Sequence, residues 1–97
     1  MLIARVVGSA VSTVKDENLR GLKLLVVQET TPTDELRGEP FVAADTVGAG
    51  EGELVLIVVG STARYTDKTR NFPVDAAIIG VLDSLEVAGE VTFRKSR

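Results

Sequence analysis

Six aliphatic residues in a row, Leu54 to Val59, constrain this chain more than any other segment. The run follows a glycine-rich stretch, Gly48-Ala49-Gly50-Glu51-Gly52, and ends at Gly60-Ser61. A short, largely β-branched run between glycines reads as a strand. The two-residue period puts Leu54, Leu56 and Val58 on one side and Val55, Ile57 and Val59 on the other. In a single small antiparallel sheet one of these sides should be polar. Here neither is, so the second side needs a cover, and a neighbouring copy is the simplest one.

The remaining segments supply more strands. Leu2 to Thr13 reads as a long first strand, with Gly8 marking a bend or bulge. Lys15 to Gly21 reads as a loop, with Leu19 as a plug over a barrel end. Lys23 to Glu29 is a second strand, and Thr30 to Pro40 a surface loop with two prolines. Phe41 to Val47 is a third strand whose apolar part stops at Asp45, and Glu53 to Val59 is the fourth. Ser61 is placed to cap a short helix from Thr62 that Asn71-Phe72-Pro73 would end. Asp75 to Val87 is read as a strand despite its helical look, with Ala77, Ile79, Val81, Leu85 and Val87 on one face. Gly89 turns the chain into a last strand, Glu90 to Lys95. Five or six short strands with one short helix suit a mainly β fold, a small closed barrel of the OB type. At 97 residues the expectation is a single domain, 1–97.

Composition narrows the chemistry. The chain contains no histidine and no cysteine. That removes the usual base near neutral pH, the commonest metal ligand, the thiol nucleophile and any disulfide. Ser61 and Ser84 therefore have no Ser-His-Asp partner. No cofactor or metal is expected. The net charge of −3 and scattered aromatics Phe41, Tyr65, Phe72 and Phe93 argue against a nucleic-acid groove, which needs a basic surface with stacking rings. No run approaches the roughly 18 apolar residues of a membrane span. The N-terminus lacks a signal-peptide layout, so a soluble cytoplasmic protein is the expectation.

Two clusters could carry a site. Gly48-x-Gly50-x-Gly52 misses the dinucleotide pattern, because a strand follows it and Glu51 and Glu53 would repel phosphate. It reads as a structural turn. The carboxylates Asp45, Glu51 and Glu53 lack a nucleophile or a calcium-loop spacing, and read as a solvated rim. Arg64 could pair with Asp75, in its own chain or a neighbour's.

Several segments form a pattern that is specific when taken together. They are Val11-Ser12-Thr13 with Lys15, and Leu19-x-Gly21-x-Lys23-Leu24-Leu25-x-Val27-Gln28. Val42-Ala43-Ala44-Asp45-x-Val47-Gly48-Ala49-Gly50-x-Gly52-Glu53-x-Val55 follows. Gly60-Ser61-Thr62-Ala63-Arg64 and Pro73-Val74-Asp75-Ala76-Ala77-Ile78-Ile79-Gly80 complete the set, which resembles the EutN/CcmL family of bacterial microcompartment shell proteins. The departures, Thr30 to Pro40 and Tyr65 to Phe72, read as variable loops. The resemblance implies an OB-like barrel in a cyclic homopentamer and a non-enzymatic role. That role is to cap the vertices of an icosahedral shell otherwise tiled by hexameric shell proteins, within the cytoplasm. Carboxysome, ethanolamine, propanediol and glycyl-radical compartments all use such proteins.

A ring joined head to tail needs two different patches per subunit. Val55, Ile57, Val59, Ser61, Arg64 and Asp75 are the expected interface residues, with part of the first strand or Asp75 to Ile79 opposite. Gly48, Ala49 and Gly50, small and flexible, are expected to line the axial hole, with Ser12 to Lys15 second. The alternative function is an OB-type adaptor for nucleic acid or protein. A small acid–base enzyme is the third reading.

Overall fold

The computed structural model describes residues 1–11, 22–64, 66, 69 and 74–95. Among the described residues seven strands follow in order: β1 (Leu2–Ser9), β2 (Lys23–Glu29), β3 (Phe41–Asp45), β4 (Leu54–Val59), β5 (Ala76–Val81), β6 (Ser84–Val87) and β7 (Glu90–Arg94). A 3-10 helix, Gly60–Arg64, links β4 to β5. Five strands close into a barrel in the order β1-β2-β3-β5-β4, and β6-β7 form a separate ribbon. This is the five-stranded Greek-key barrel of the OB type.

Closure depends on β1, which pairs with both β2 and β4. Its register shifts between Val6 and Gly8, so the bulge expected at Gly8 is present and bends the strand. The last seam is a short parallel one, Ala44↔Ala77 and Asp45↔Ile78, between β3 and β5. Inward-facing residues fill the barrel: Ala4 and Val6, Leu25 and Val27, Ala43, Val55 and Ile57, Ala76 and Ile78. Most are small or β-branched, which suits an interior only wide enough for side chains.

Several boundaries differ from the sequence reading. The first strand ends at Ser9, and positions 12 and 13 lie outside the described residues. Leu19 and the segment 71–73 lie outside them too. β3 stops at Asp45 because its carboxylate turns back on the following amides. The helix begins at Gly60, so Ser61 sits inside it and does not precede it as a cap. The segment Asp75 to Val87 is two strands. Leu82 N donates to Leu54 O at 2.9 Å, and the chain then leaves the barrel at Asp83. On β5 Ala76 and Ile78 face the core, so Ala77 and Ile79 do not share the face of Val81 as the sequence predicts. The register shift opposite Leu56/Ile57 changes the phase of β5 before Val81, which again packs on the core.

Candidate subunit interface

The pairing register fixes which side chains point out of the barrel. Across β1 and β4, Leu2↔Ile57 and Ala4↔Val55 point inward, while Ile3↔Leu56 and Arg5↔Leu54 point outward. Val55 and Ile57 are 0% exposed within one chain, so neither has surface left for a neighbour. Their expected place at the interface is corrected on that ground. The outward members of β4 are Leu54, Leu56 and Val58. Leu54 is fully buried, whereas Leu56 and Val58 are half-buried. Val59 ends the inward row at the barrel rim, 38% exposed. Ser61 and Asp75 are exposed, and Asp75 O accepts from Gly60 N at 2.7 Å. The Arg64 side chain, and with it the proposed Arg64–Asp75 pair, lies outside the described residues.

Two apolar faces result, on either side of β1. One is the Ile3, Leu56 and Val58 row over β1 and β4. The other joins Val26 and Val42, paired across β2 and β3, to Val7 at the β1 bulge. Val7 is 37% and Val42 46% exposed. The sequence could not signal this second face, because only the bulge brings Val7 beside it.

The glycine stretch is a built turn. Asp45 is buried, and its Oδ1 accepts from the amides of Val47, Gly48 and Ala49 at 3.1–3.2 Å. The expected solvated rim is therefore wrong for Asp45, which organises the loop by satisfying three amides. Glu53 Oε1 accepts from Gly50 N at 2.6 Å, and Lys23 Nζ donates to Ala49 O at 3.2 Å. Gly52 holds φ +91°, which only glycine adopts without strain. Of the three expected pore residues, Ala49 packs its methyl into the core and is 1% exposed. Gly48 is exposed and Gly50 half-buried. Among the described residues no cluster of carboxylates is arranged to hold a metal ion.

Arg5 ties this turn to the C-terminal ribbon. Its guanidinium donates to Gly52 O at 2.7 Å, pairs with Asp34 and lies 5.7 Å over the Phe93 ring. Lys95 Nζ meets Glu53 Oε2 at 2.9 Å, and Thr92 Oγ1 donates to Pro32 O at 2.6 Å. The Lys95 hydrogen bond, then the Gly50 amide, holds the Glu53 carboxyl below its usual range. The same bond raises Lys95. Between ribbon and barrel lies a cavity of about 360 Å³, with Leu54, Leu82 and Phe93 as its apolar lining. Phe41 packs against the core and Phe93 is held under Arg5, so these two rings form no stacking platform on the surface.

The family described as "Ethanolamine utilisation protein EutN/carboxysome" matches residues 1–83. The chain belongs to the EutN/CcmL family. The shell vertex protein EutN of Escherichia coli K12 is 42% identical over 95 residues, covering 98% of this chain and 100% of that one. The carboxysome shell vertex protein CcmL of Synechococcus elongatus is 44% identical, covering 98% and 96%. The solved GrpN pentameric microcompartment shell protein of Rhodospirillum rubrum superimposes with a TM-score of 0.79 at 42% identity. That match covers 91% of this chain and 99% of GrpN. These relatives are structural proteins of shell vertices.

Proposed function

We propose that this EutN/CcmL-family chain forms a homopentamer that closes the vertices of a bacterial microcompartment shell. What carries the reading is the pair of outward apolar faces, Ile3-Leu56-Val58 and Val7-Val26-Val42, left on a barrel that is already closed. Two different faces per subunit are what a head-to-tail ring requires. Fully burying a Val or Leu side chain is worth about 1.5–3 kcal/mol, so each junction gains by covering them. Membership of a family with a solved pentameric member supports the five-fold count.

The geometric need is plain. A flat layer of hexagons cannot close, and pentagons supply the curvature. The partners in this reading are hexameric shell proteins, and the place is a cytoplasmic compartment. The chain carries no catalytic role in it; the lack of histidine and cysteine supports that. Gly48 and Gly50 remain our proposed lining of the axial opening, through backbone and not through side chains. Val59, Ser61, Arg64 and Asp75 remain proposed at the junction.

The test is co-expression with hexameric shell proteins, with and without this chain, followed by electron microscopy. Closed polyhedra that become open tubes or sheets when the chain is omitted support the reading. Closed shells in both cases contradict it.

A further inference from the structure

We infer that Glu53 and Arg5 couple the β6–β7 ribbon to the glycine turn, so that half of the turn is held only while the ribbon is seated. The ribbon is a sheet of its own, and a lone two-stranded ribbon is marginal in water. Side chains seat it on the barrel. Lys95 Nζ meets Glu53 Oε2 at 2.9 Å, Phe93 lies under the Arg5 guanidinium at 5.7 Å, and Thr92 Oγ1 donates to Pro32 O at 2.6 Å. Two of these three partners also hold the turn. Glu53 Oε1 accepts from Gly50 N at 2.6 Å, and Arg5 donates to Gly52 O at 2.7 Å.

The two halves of the turn are therefore held from different places. The amides of Val47, Gly48 and Ala49 bond to Asp45 on β3. Among the described residues Asp45 has no bond to the ribbon. Gly50 N instead depends on a carboxylate whose other oxygen is committed to Lys95. Anchored at both oxygens, the Glu53 side chain keeps one conformation. Released at one, it regains torsional freedom that draws it off the other. The Glu53 and Lys95 side chains are 28% and 33% exposed, so their pair is weak enough to open. The ties border the cavity of about 360 Å³, lined in part by Arg5, Gly52, Glu53, Phe93 and Lys95. Space beside them lets each tie break without unpacking the core. Such a coupling is reciprocal: lifting the ribbon loosens Gly50, and drawing Glu53 away loosens the ribbon. The seated ribbon then shapes one half of the axial opening. That effect rests on the lining proposed above, whereas the coupling stands on bonds within one chain.

Site-resolved amide exchange on the full chain tests this. Lys95→Met keeps the apolar stem and removes the charge. Exchange at Gly50 N should rise about twofold to fivefold, the loss expected of a partly exposed ion pair, with Val47, Gly48 and Ala49 unchanged. Glu53→Asp, one methylene shorter, cannot reach both partners and should speed Gly50 and the β7 amides together. A Gly50 amide that stays at its wild-type rate in both variants overturns the coupling. So does one that rises no more than its three neighbours. An electron-microscopy map of the ring separates the two claims. A glycine turn found away from the five-fold axis removes the effect on the opening and leaves the coupling standing.

Discussion

Ile57→Ala and Val58→Ala should fail in different ways, although the two residues are neighbours. Ile57 is 0% exposed and packs in the barrel centre. Removing its outer carbons from a closed interior costs about 2–5 kcal/mol, the transfer term plus the cavity left behind. Domains of this size are stable by roughly 5–15 kcal/mol, so the loss is a large share. A mid-range loss of about 3 kcal/mol lowers Tm by about 12–24 °C. Val58 points outward and is half-buried in one chain. Its truncation removes about 1 kcal/mol of remaining burial at each junction, and little from the barrel. That is a severalfold change in dissociation constant. Thermal melts at fixed protomer concentration, above and below ring dissociation, separate the effects, because ring formation itself raises Tm. The Ile57→Ala loss should persist in dilute monomer, and the Val58→Ala loss should vanish there. An Ile57→Ala chain that melts like wild type but fails to assemble would refute the assignment of faces.

Three further outcomes follow from the turn and the ribbon. Asp45→Ala strips the acceptor from three amides and should cost about 1–3 kcal/mol in urea unfolding, with Asp45→Asn recovering part of it. Gly52→Ala forces a Cβ onto φ +91° and should cost about 1–2 kcal/mol by the same assay, with no change in junction affinity. The Glu53–Lys95 bond should hold only between two limits. Glu53 is lowered from 4.5, so its contribution is present above that value and is lost as pH falls through the folded pKa. Lys95 is raised from 10.5, so its contribution is present below that value and is lost as pH rises through the folded pKa. Amide exchange of β7 should rise at both extremes, and Glu53→Gln should abolish the acid limb.

Much of the barrel was legible because its strands alternate between recognisable ends. Lys23 to Glu29 stands as predicted, bounded by charge on both sides. Gly8 marked a bulge because little else favours glycine within a strand. The facing of β4 was not legible. Leu54 to Val59 contains no polar residue, so alternation gives two sets without saying which is inside. Pairing with β1 decides it, by bringing Val55 opposite Ala4 and Ile57 opposite Leu2. Ala49 was placed at a pore for its size alone, yet the Asp45 bonds turn its methyl into the core. Asp45 itself carried a local signal, an acidic residue just before Val47-Gly48-Ala49, of the kind that folds back onto its own amides. The break at Leu82-Asp83 depends on Leu54 O, a partner nearly thirty residues away, and no local pattern announces it.

The most direct test of the ring is the mass of the native particle in non-denaturing mass spectrometry. Five copies of 10.3 kDa, about 52 kDa, are expected as the dominant species at micromolar concentration. A folded 10.3 kDa chain that stays single across that range, its outward valines and leucines left in water, would contradict the account.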